Sequence, residues 1–162
     1  MDDLRAVYHP IGIIRSEHKK PEETPIQPAY ARGVPGRVEV LEEYAEGLRD
    51  LDDFSHLYLV YHFHEAASAE LVVVPCLDDV ERGVFATRSP CRPNPIGISI
   101  VRLLRRQGNV LFVEDLDVLD GTPLLDIKPY VARFDRIEET RDGWHADVDP
   151  KTAESRGRLG MK

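Results

Sequence analysis

Hydrophobic and polar residues alternate along residues 55–65, in the clearest such segment of the chain. Successive side chains of a β-strand point to opposite faces, so this alternation predicts a strand with one face in a core. The apolar side carries Leu57, Leu59, Tyr61 and Phe63, and the other side carries His56, Tyr58, Val60, His62 and His64.

The same criterion predicts further short strands, and favours one more at 131–138. Residues 41–51 have apolar side chains at helical spacing, which predicts a short amphipathic helix. Strands do not alternate with long helices, so a doubly wound α/β fold is disfavoured, and we expect an all-β protein with one or two short helices. The other predicted strands are 7–14, 33–40, 70–75, 83–87, 98–104, 110–118 and 124–130.

The domain organisation predicted from these patterns is simple. Residues 1–138 form one small β-barrel domain, a size that suits a single core. Residues 139–162 form a polar C-terminal extension, which could be an extended tail, a short helix or a partner-binding arm.

Two loops are candidates for function. Residues 17–32 contain three prolines and little periodicity, which predicts a long loop of the kind that is usually functional or disordered. Residues 88–97, RSPCRPNPIG, also contain three prolines and cannot form regular helix or a central strand. This stiff segment presents Arg88, Arg92 and Asn94 to bind a carboxylate or phosphate, or else is a structural connector with solvated arginines.

Composition narrows the function classes. The 162 residues carry a formal net charge of −8, which excludes a strongly basic nucleic-acid coat but not a local basic patch. The apolar runs are too short to cross a bilayer, and no signal peptide is visible. Two cysteines without CxxC spacing fit a reduced, cytoplasmic protein.

The sequence lacks the motifs of several common kinds of cofactor-binding and catalytic site. There is no glycine-rich phosphate loop, Rossmann fingerprint or nucleophile elbow. His56, His62 and His64 could ligate a metal, but no acidic triad or second histidine cluster accompanies them. We therefore expect no metal, and a nucleotide-type cofactor must be bound in another way.

Four segments of the sequence closely resemble one family. They read IGIIRS (11–16), LDDFSHLYLVYHFH (51–64), GVFATRSPCRPNPIGISIVRL (83–103) and LDVLDGTPLLDIKPY (116–130). In this order they resemble the TsaA-like family, whose best-known members are tRNA N6-threonylcarbamoyladenosine N6-methyltransferases. The resemblance runs from about residue 8 to residue 130.

The resemblance implies a small, non-Rossmann β-barrel that binds S-adenosylmethionine, with a homodimer whose cofactor pocket lies at or near the subunit contact. The chain looks like the short form of the family, without an extra C-terminal domain. The implied activity is methyl transfer to N6 of threonylcarbamoyladenosine beside the tRNA anticodon. A methyltransferase acting on another RNA or a small molecule, and a non-catalytic S-adenosylmethionine-binding module, are the alternatives.

Site residues carry over by position from the resemblance. The family has Pro-Arg-Gln in the loop after its first strand, where this chain has Ile26 in place of the arginine. The implied cofactor-binding residues are Pro25, Ile26, Gln27, Phe63, His64, Arg88, Ile98, Asp117, Val118, Leu119, Asp120, Gly121 and Thr122. The implied substrate-binding residues are Arg92, Asn94, Lys128 and Tyr130. The catalytic base is left open between Asp120 and His64.

Overall fold

The computed structural model describes residues 4–160, which form eight strands and two short α-helices, with 3-10 turns between them. The strands are β1 Gly12–Ser16, β2 Pro35–Val40, β3 His56–His62, β4 Val72–Val73, β5 Arg82–Gly83, β6 Ile96–Gln107, β7 Val110–Glu114 and β8 Thr122–Pro129. The α-helices are α1 Ala132–Asp135 and α2 Pro150–Arg158. No helix within residues 4–160 is long and apolar enough to span a bilayer.

Six of the strands close into an antiparallel barrel in the order β1-β2-β7-β6-β3-β8, and β4 and β5 form a separate two-stranded sheet. Closure pairs both edges of every barrel strand, so the barrel exposes no free sheet edge. The prediction of an all-β barrel with short helices is confirmed.

The barrel interior is filled by alternate side chains of its strands. In β3 the residues Leu57, Leu59 and Tyr61 are buried while their neighbours are only partly buried, as the alternation predicts. Phe63, the fourth apolar residue of this series, is partly buried against the same core. The segment after β7 adds Leu116, which is fully buried.

Several predicted elements have different bounds. The strand predicted at 7–14 begins only at Gly12, because its partner β2 ends at Val40, opposite Gly12. The strand predicted at 110–118 ends at Glu114, because Asp115 has a left-handed φ of 66°. Of the strand predicted at 83–87, only Gly83 belongs to a strand, β5, and residues 84–86 form a 3-10 turn.

Two further predictions of element type are wrong. The region 41–51 contains no α-helix: Glu42–Leu48 and Leu51–Asp53 are 3-10 helices, separated at Asp50 by a left-handed φ of 67° that a right-handed helix cannot contain. The strand favoured at 131–138 is instead the helix α1, where the Asp135 carboxylate accepts a hydrogen bond from the amide of Val131 at 2.8 Å. The polar C-terminal region contains the helix α2.

The antiparallel order fixes which loops share one end of the barrel. Strands β1, β3 and β7 finish at this end, and β2, β6 and β8 begin there. The loops 17–34, 63–71, 84–95 and 115–121 therefore meet at the same end, which we call the loop end. The β6–β7 hairpin and the exit of β8 lie at the opposite end.

Candidate functional site

The turn that precedes β8 is held against the exit of β1. The amide of Gly121 donates to the carbonyl of Ile14 at 2.9 Å, and the amide of Asp120 donates to the carbonyl of His18 at 2.8 Å. In return, the hydroxyl of Ser16 donates to the carbonyl of Val118 at 2.6 Å. Gly121 has φ 79°, a conformation that glycine adopts without strain.

The Asp120 carboxylate is tied into this turn as an anion. It accepts a hydrogen bond from the amide of Ser16 at 3.0 Å and forms an ion pair with Lys19 at 2.7 Å. The hydrogen bond from Lys19 holds the pKa of Asp120 below its usual range. A carboxylate with a lowered pKa and two donors is a weak proton acceptor.

A second contact joins two loops that are far apart in the sequence. The guanidinium of Arg88 donates to the amide oxygen of Gln27 at 2.6 Å, across 61 residues. Pro25 beside it is buried, and Ile26 is partly buried. The structure thus brings the 25–27 segment and Arg88 together, as the shared site implied by the resemblance requires.

The end of β3 contributes an aromatic ring and an imidazole. Phe63 donates its amide to the carbonyl of Pro95 at 2.8 Å and packs its ring edge-on against Tyr61, with centroids 5.4 Å apart. The His64 Nδ1 lies 3.4 Å from the Thr122 hydroxyl, whose proton can be donated to the carbonyl of Leu119 at 2.7 Å. His64, Leu119 and Thr122 are therefore neighbours at the loop end.

A buried polar network lies beneath these loops. The hydroxyl of Ser99 donates to the Asp117 carboxylate at 2.5 Å and lies 2.9 Å from the Tyr61 hydroxyl. Burial raises the pKa of Asp117 to about 7, while the hydrogen bond from Ser99 and the charge of Arg88 oppose this rise. Burial also raises the pKa of Tyr61.

Ser99 was missed by the sequence reasoning, although its position carried a signal. It occupies an inward position of β6 between Gly97 and Val101, where a hydroxyl is unusual among buried residues. A polar side chain at a core position indicates a buried hydrogen-bond partner. The partner itself could be found only from the fold.

The structure does not bring all the predicted residues together. Ile98 is the third residue of β6 and lies on the outer surface, 46% exposed. Lys128 lies near the far end of β8, six residues beyond Thr122, which is about 20 Å at the usual rise per strand residue. Tyr130 follows that end and packs against Tyr58, with ring centroids 5.8 Å apart. Within one chain these two residues are remote from the loop end.

The two polar residues predicted for the proline-rich loop differ in environment. The Arg92 guanidinium donates to the carbonyls of Thr87 and Ser89 at 3.1 and 3.3 Å, so it stabilises its own loop. Asn94 is exposed. Arg92 thus fits the connector role at least as well as a ligand-binding role.

The histidine face of β3 does not assemble a metal site within residues 4–160, where no group of three or more potential ligands is found. His56 has its Nδ1 2.8 Å from the hydroxyl of Ser55, at the end of the barrel opposite to His64. The histidines are therefore spread over the length of the strand.

The fold and the site define a class of protein: a closed β-barrel whose candidate ligand site is built from loops at one end, with no nucleotide-binding α/β unit among residues 4–160. The sequence profile of the tRNA-methyltransferase O N-terminal domain matches residues 13–136. The chain belongs to this family.

Relatives and solved structures agree with this assignment. A Pyrococcus abyssi protein named as a probable S-adenosyl-L-methionine-binding protein is 55% identical over 141 residues, which cover 87% of this chain and 77% of the relative. The Escherichia coli tRNA (adenine(37)-N6)-methyltransferase is 39% identical over 134 residues, covering 76% of this chain and 57% of the relative. The crystal structure of TrmO from Pseudomonas aeruginosa superposes with a TM-score of 0.74 at 38% identity, covering 91% of this chain and 64% of that one.

The shared region has a limit. The chain spans 57% of the E. coli methyltransferase and 64% of the P. aeruginosa TrmO structure. The matched profile ends at residue 136, before α2.

Proposed function

We propose that this protein is an S-adenosylmethionine-dependent methyltransferase that modifies N6 of threonylcarbamoyladenosine next to the anticodon of tRNA. The observation that carries the proposal is the family match over residues 13–136, which spans all the loop-end segments described above. Relatives named as tRNA (adenine(37)-N6)-methyltransferases support this substrate. Relatives named as S-adenosyl-L-methionine-binding proteins support this cofactor.

The residues at the loop end fit such a cofactor. S-adenosylmethionine carries a carboxylate, two positive centres and a purine. A guanidinium at Arg88 suits the carboxylate, and a buried carboxyl group at Asp117 suits a positive centre nearby. The ring of Phe63 offers an apolar face for the purine.

When bound, the cofactor supplies an electrophilic methyl group on a sulfonium sulfur. The chain's own contribution is alignment, since a displacement of this kind depends on the relative position of donor and acceptor. His64 is the better candidate for accepting the acceptor's proton, because Asp120 is held as an ion pair by Lys19.

Transfer RNA requires local positive charge on a chain of net charge −8. The barrel register provides it as an outward row across four neighbouring strands: Arg15 pairs with Arg37, Arg37 with Phe112, and Phe112 with Arg105. This row is about 14 Å wide at the usual strand spacing. Arg105 stacks on the Phe112 ring at 3.6 Å, and Glu39 accepts hydrogen bonds from both Arg15 and Arg37.

The row supports a phosphate-binding surface beside the cofactor site. Arg15 adjoins Ser16, whose amide binds Asp120 in the turn of the loop end. We expect the double variant Arg37→Gln/Arg105→Gln to weaken tRNA binding and to lower the slope of log affinity against log salt by about 2. The control Arg49→Gln removes an arginine that pairs with Glu46 at the far end of the barrel. An unchanged slope in the double variant would place the tRNA elsewhere.

A homodimer is part of the proposal. Ile96, Ile98 and Ile100 form an outward apolar strip on β6, 40%, 46% and 38% exposed, beside Tyr58 and Val60 of β3. A second copy of the chain covering this strip would remove it from water and could bring distant residues to the site. Sedimentation equilibrium should give a dimer for the wild type and a monomer for Ile100→Asp. A monomeric wild type contradicts this part.

The lysine and tyrosine at the far end of β8 become relevant in such a dimer. Lys128 and Tyr130 lie too far from the loop end of their own chain, so the partner's loop end is where they could contact substrate. Tyr130 could then stack on a base. Their assignment to substrate binding depends on the dimer.

The decisive test of the whole proposal is nucleoside mass spectrometry of threonylcarbamoyladenosine-bearing tRNA after incubation with the protein and S-adenosylmethionine. One added methyl group on that nucleoside supports cofactor, substrate and reaction together. Bound cofactor without methylation of tRNA would favour the alternatives, a different acceptor or a binding module. A cytoplasmic location is proposed with this substrate, in keeping with two cysteines that form no disulfide within residues 4–160.

A further inference from the structure

The C-terminal helix α2 packs against the loop that carries residues 25–27. The amide of Ile26 donates to the carbonyl of Gly157 at 2.9 Å. Gly157 is buried against Tyr30 so closely that a Cβ there would lie 2.5 Å from the ring. A Cβ on Gly160, just beyond the helix, would lie 2.4 and 2.5 Å from the carbonyl oxygens of Thr24 and Pro21. Main-chain contacts of this kind fix the backbone path of the loop.

The same C-terminal region also contacts the segment that leads to Arg88. Trp144 donates its indole N–H to the carbonyl of Ala86 at 2.8 Å, and the guanidinium of Arg82 lies 5.6 Å from its ring centroid. Arg156 binds both oxygens of the Asp79 carboxylate at 3.0 and 3.3 Å. Residues 143–160, which we call the C-terminal brace, therefore contact both sides of the Gln27–Arg88 hydrogen bond.

The shortness of its helix explains why the order of the brace depends on these contacts. Its helix α2 has only nine residues. The Asp149 carboxylate caps the N-terminus of this helix by accepting a hydrogen bond from the amide of Thr152 at 2.9 Å. An isolated helix of this length is marginal in water, so its order comes from docking. The helix docks on the 17–34 loop and on Asp79 between β4 and β5, and Trp144, which precedes the helix, docks on Ala86.

We infer that the C-terminal brace positions the cofactor site: it holds the 25–27 loop and the Arg88 segment at the separation at which they bind S-adenosylmethionine together. The inference rests on the proposed function, since it concerns the same cofactor. It goes beyond it by assigning a role in binding to residues outside the matched region 13–136. The residues of the brace are positioning residues, because they act through Ile26 and Ala86.

The position of Gly157 allows a sharp test in the full-length chain. Gly157→Ala adds one methyl group that meets the Tyr30 ring. The control Ser155→Ala also introduces an alanine into this helix, but at an exposed position. We expect Gly157→Ala to weaken S-adenosylmethionine binding at least about tenfold by titration calorimetry, with Ser155→Ala within about twofold of wild type. The urea midpoint of the barrel should change little, since neither residue lies in its core.

Rescue separates positioning from general damage. Tyr30→Ala in the Gly157→Ala background removes the clashing ring and should recover part of the lost affinity. Trp144 is the only tryptophan of the chain, so its fluorescence reports directly whether the brace has moved. Trp144→Phe, which loses the hydrogen bond to Ala86 but keeps a ring, provides a second variant and should also weaken binding.

The outcomes are distinguishable. Weaker binding by Gly157→Ala with a shifted Trp144 emission, and recovery in the double variant, support the inference. Wild-type affinity in Gly157→Ala and Trp144→Phe overturns it and leaves the proposed function intact. A wild-type chain that binds no S-adenosylmethionine overturns the proposed function, and the inference with it.

Discussion

The buried Asp117 carboxyl group predicts an unusual dependence of stability on pH. Its pKa is raised from an ordinary value of 3.8 to about 7 by burial in the folded chain. Between these two values the folded state keeps a proton that the unfolded state has lost. Stability contributed by this group is therefore fully present below about pH 4, falls as the pH rises, and levels off above about pH 7.

The magnitude follows from the two pKa values. Each pH unit between them corresponds to about 1.4 kcal/mol, so the whole range corresponds to about 4 kcal/mol of unfolding free energy. Asp117→Asn removes the titration while its side-chain oxygen can still accept the hydrogen bond from Ser99. The new amide N–H of the variant needs an acceptor, which adds a penalty that does not vary with pH.

The assay is urea unfolding of the cofactor-free protein across about pH 4 to 8, with wild type and Asp117→Asn measured in parallel. Other titrating groups affect both proteins alike, so the difference between the two curves isolates Asp117. We expect this difference to shift in favour of the variant by about 4 kcal/mol from the low to the high end. Parallel curves would contradict this prediction, because they would mean that the carboxyl group titrates normally.

Arg88 provides a second measurement on the same group. Its positive charge lowers the pKa of Asp117 against the effect of burial. Arg88→Gln should therefore raise that pKa further and extend the falling part of the wild-type curve to higher pH. A curve that moves to lower pH in this variant would contradict the sign of the interaction.

Three further predictions concern packing, backbone strain and binding. Leu59→Ala, at a fully buried position, should destabilise the barrel by about 2–5 kcal/mol in urea, while the exposed control Val72→Ala changes little. Gly121→Ala should lose about 1–2 kcal/mol from its positive φ alone, since open space surrounds it; Gly47→Ala is the control without that strain. Arg88→Lys keeps the charge but not the planar fork, and calorimetry should show weaker S-adenosylmethionine binding. Wild-type stability in Leu59→Ala or Gly121→Ala, or wild-type affinity in Arg88→Lys, would contradict the corresponding prediction.

Much of the secondary structure could be predicted because it depends on local patterns. The alternation in β3 predicts from local sequence alone that Leu57, Leu59 and Tyr61 lie on one face of the strand, and this face is buried. Predictions failed where one residue decides the backbone, as at Asp50 and Asp115, which adopt left-handed φ values. Aspartate tolerates that region but does not require it, so the sequence gives only a weak signal there.

Some residues predicted for the candidate site lie together in the structure and others do not. The resemblance pointed to Gln27 and Arg88, which the structure joins at 2.6 Å. It also pointed to Lys128, which lies near the far end of β8 from the loop end. A motif fixes which residue types occur, whereas their distance depends on strand length and direction.

Local patterns alone predict a strand-rich chain with a rigid proline loop and a tight turn at Asp120-Gly121, and its motifs resemble those of one family. Which distant residues meet depends on the tertiary fold: Ser99 with Asp117 beneath the loops, and Gly157 with Tyr30 behind them. The two kinds of information differ in range. Burial periodicity is set by neighbouring residues, whereas register and loop docking are set by the sum of many contacts across the closed barrel.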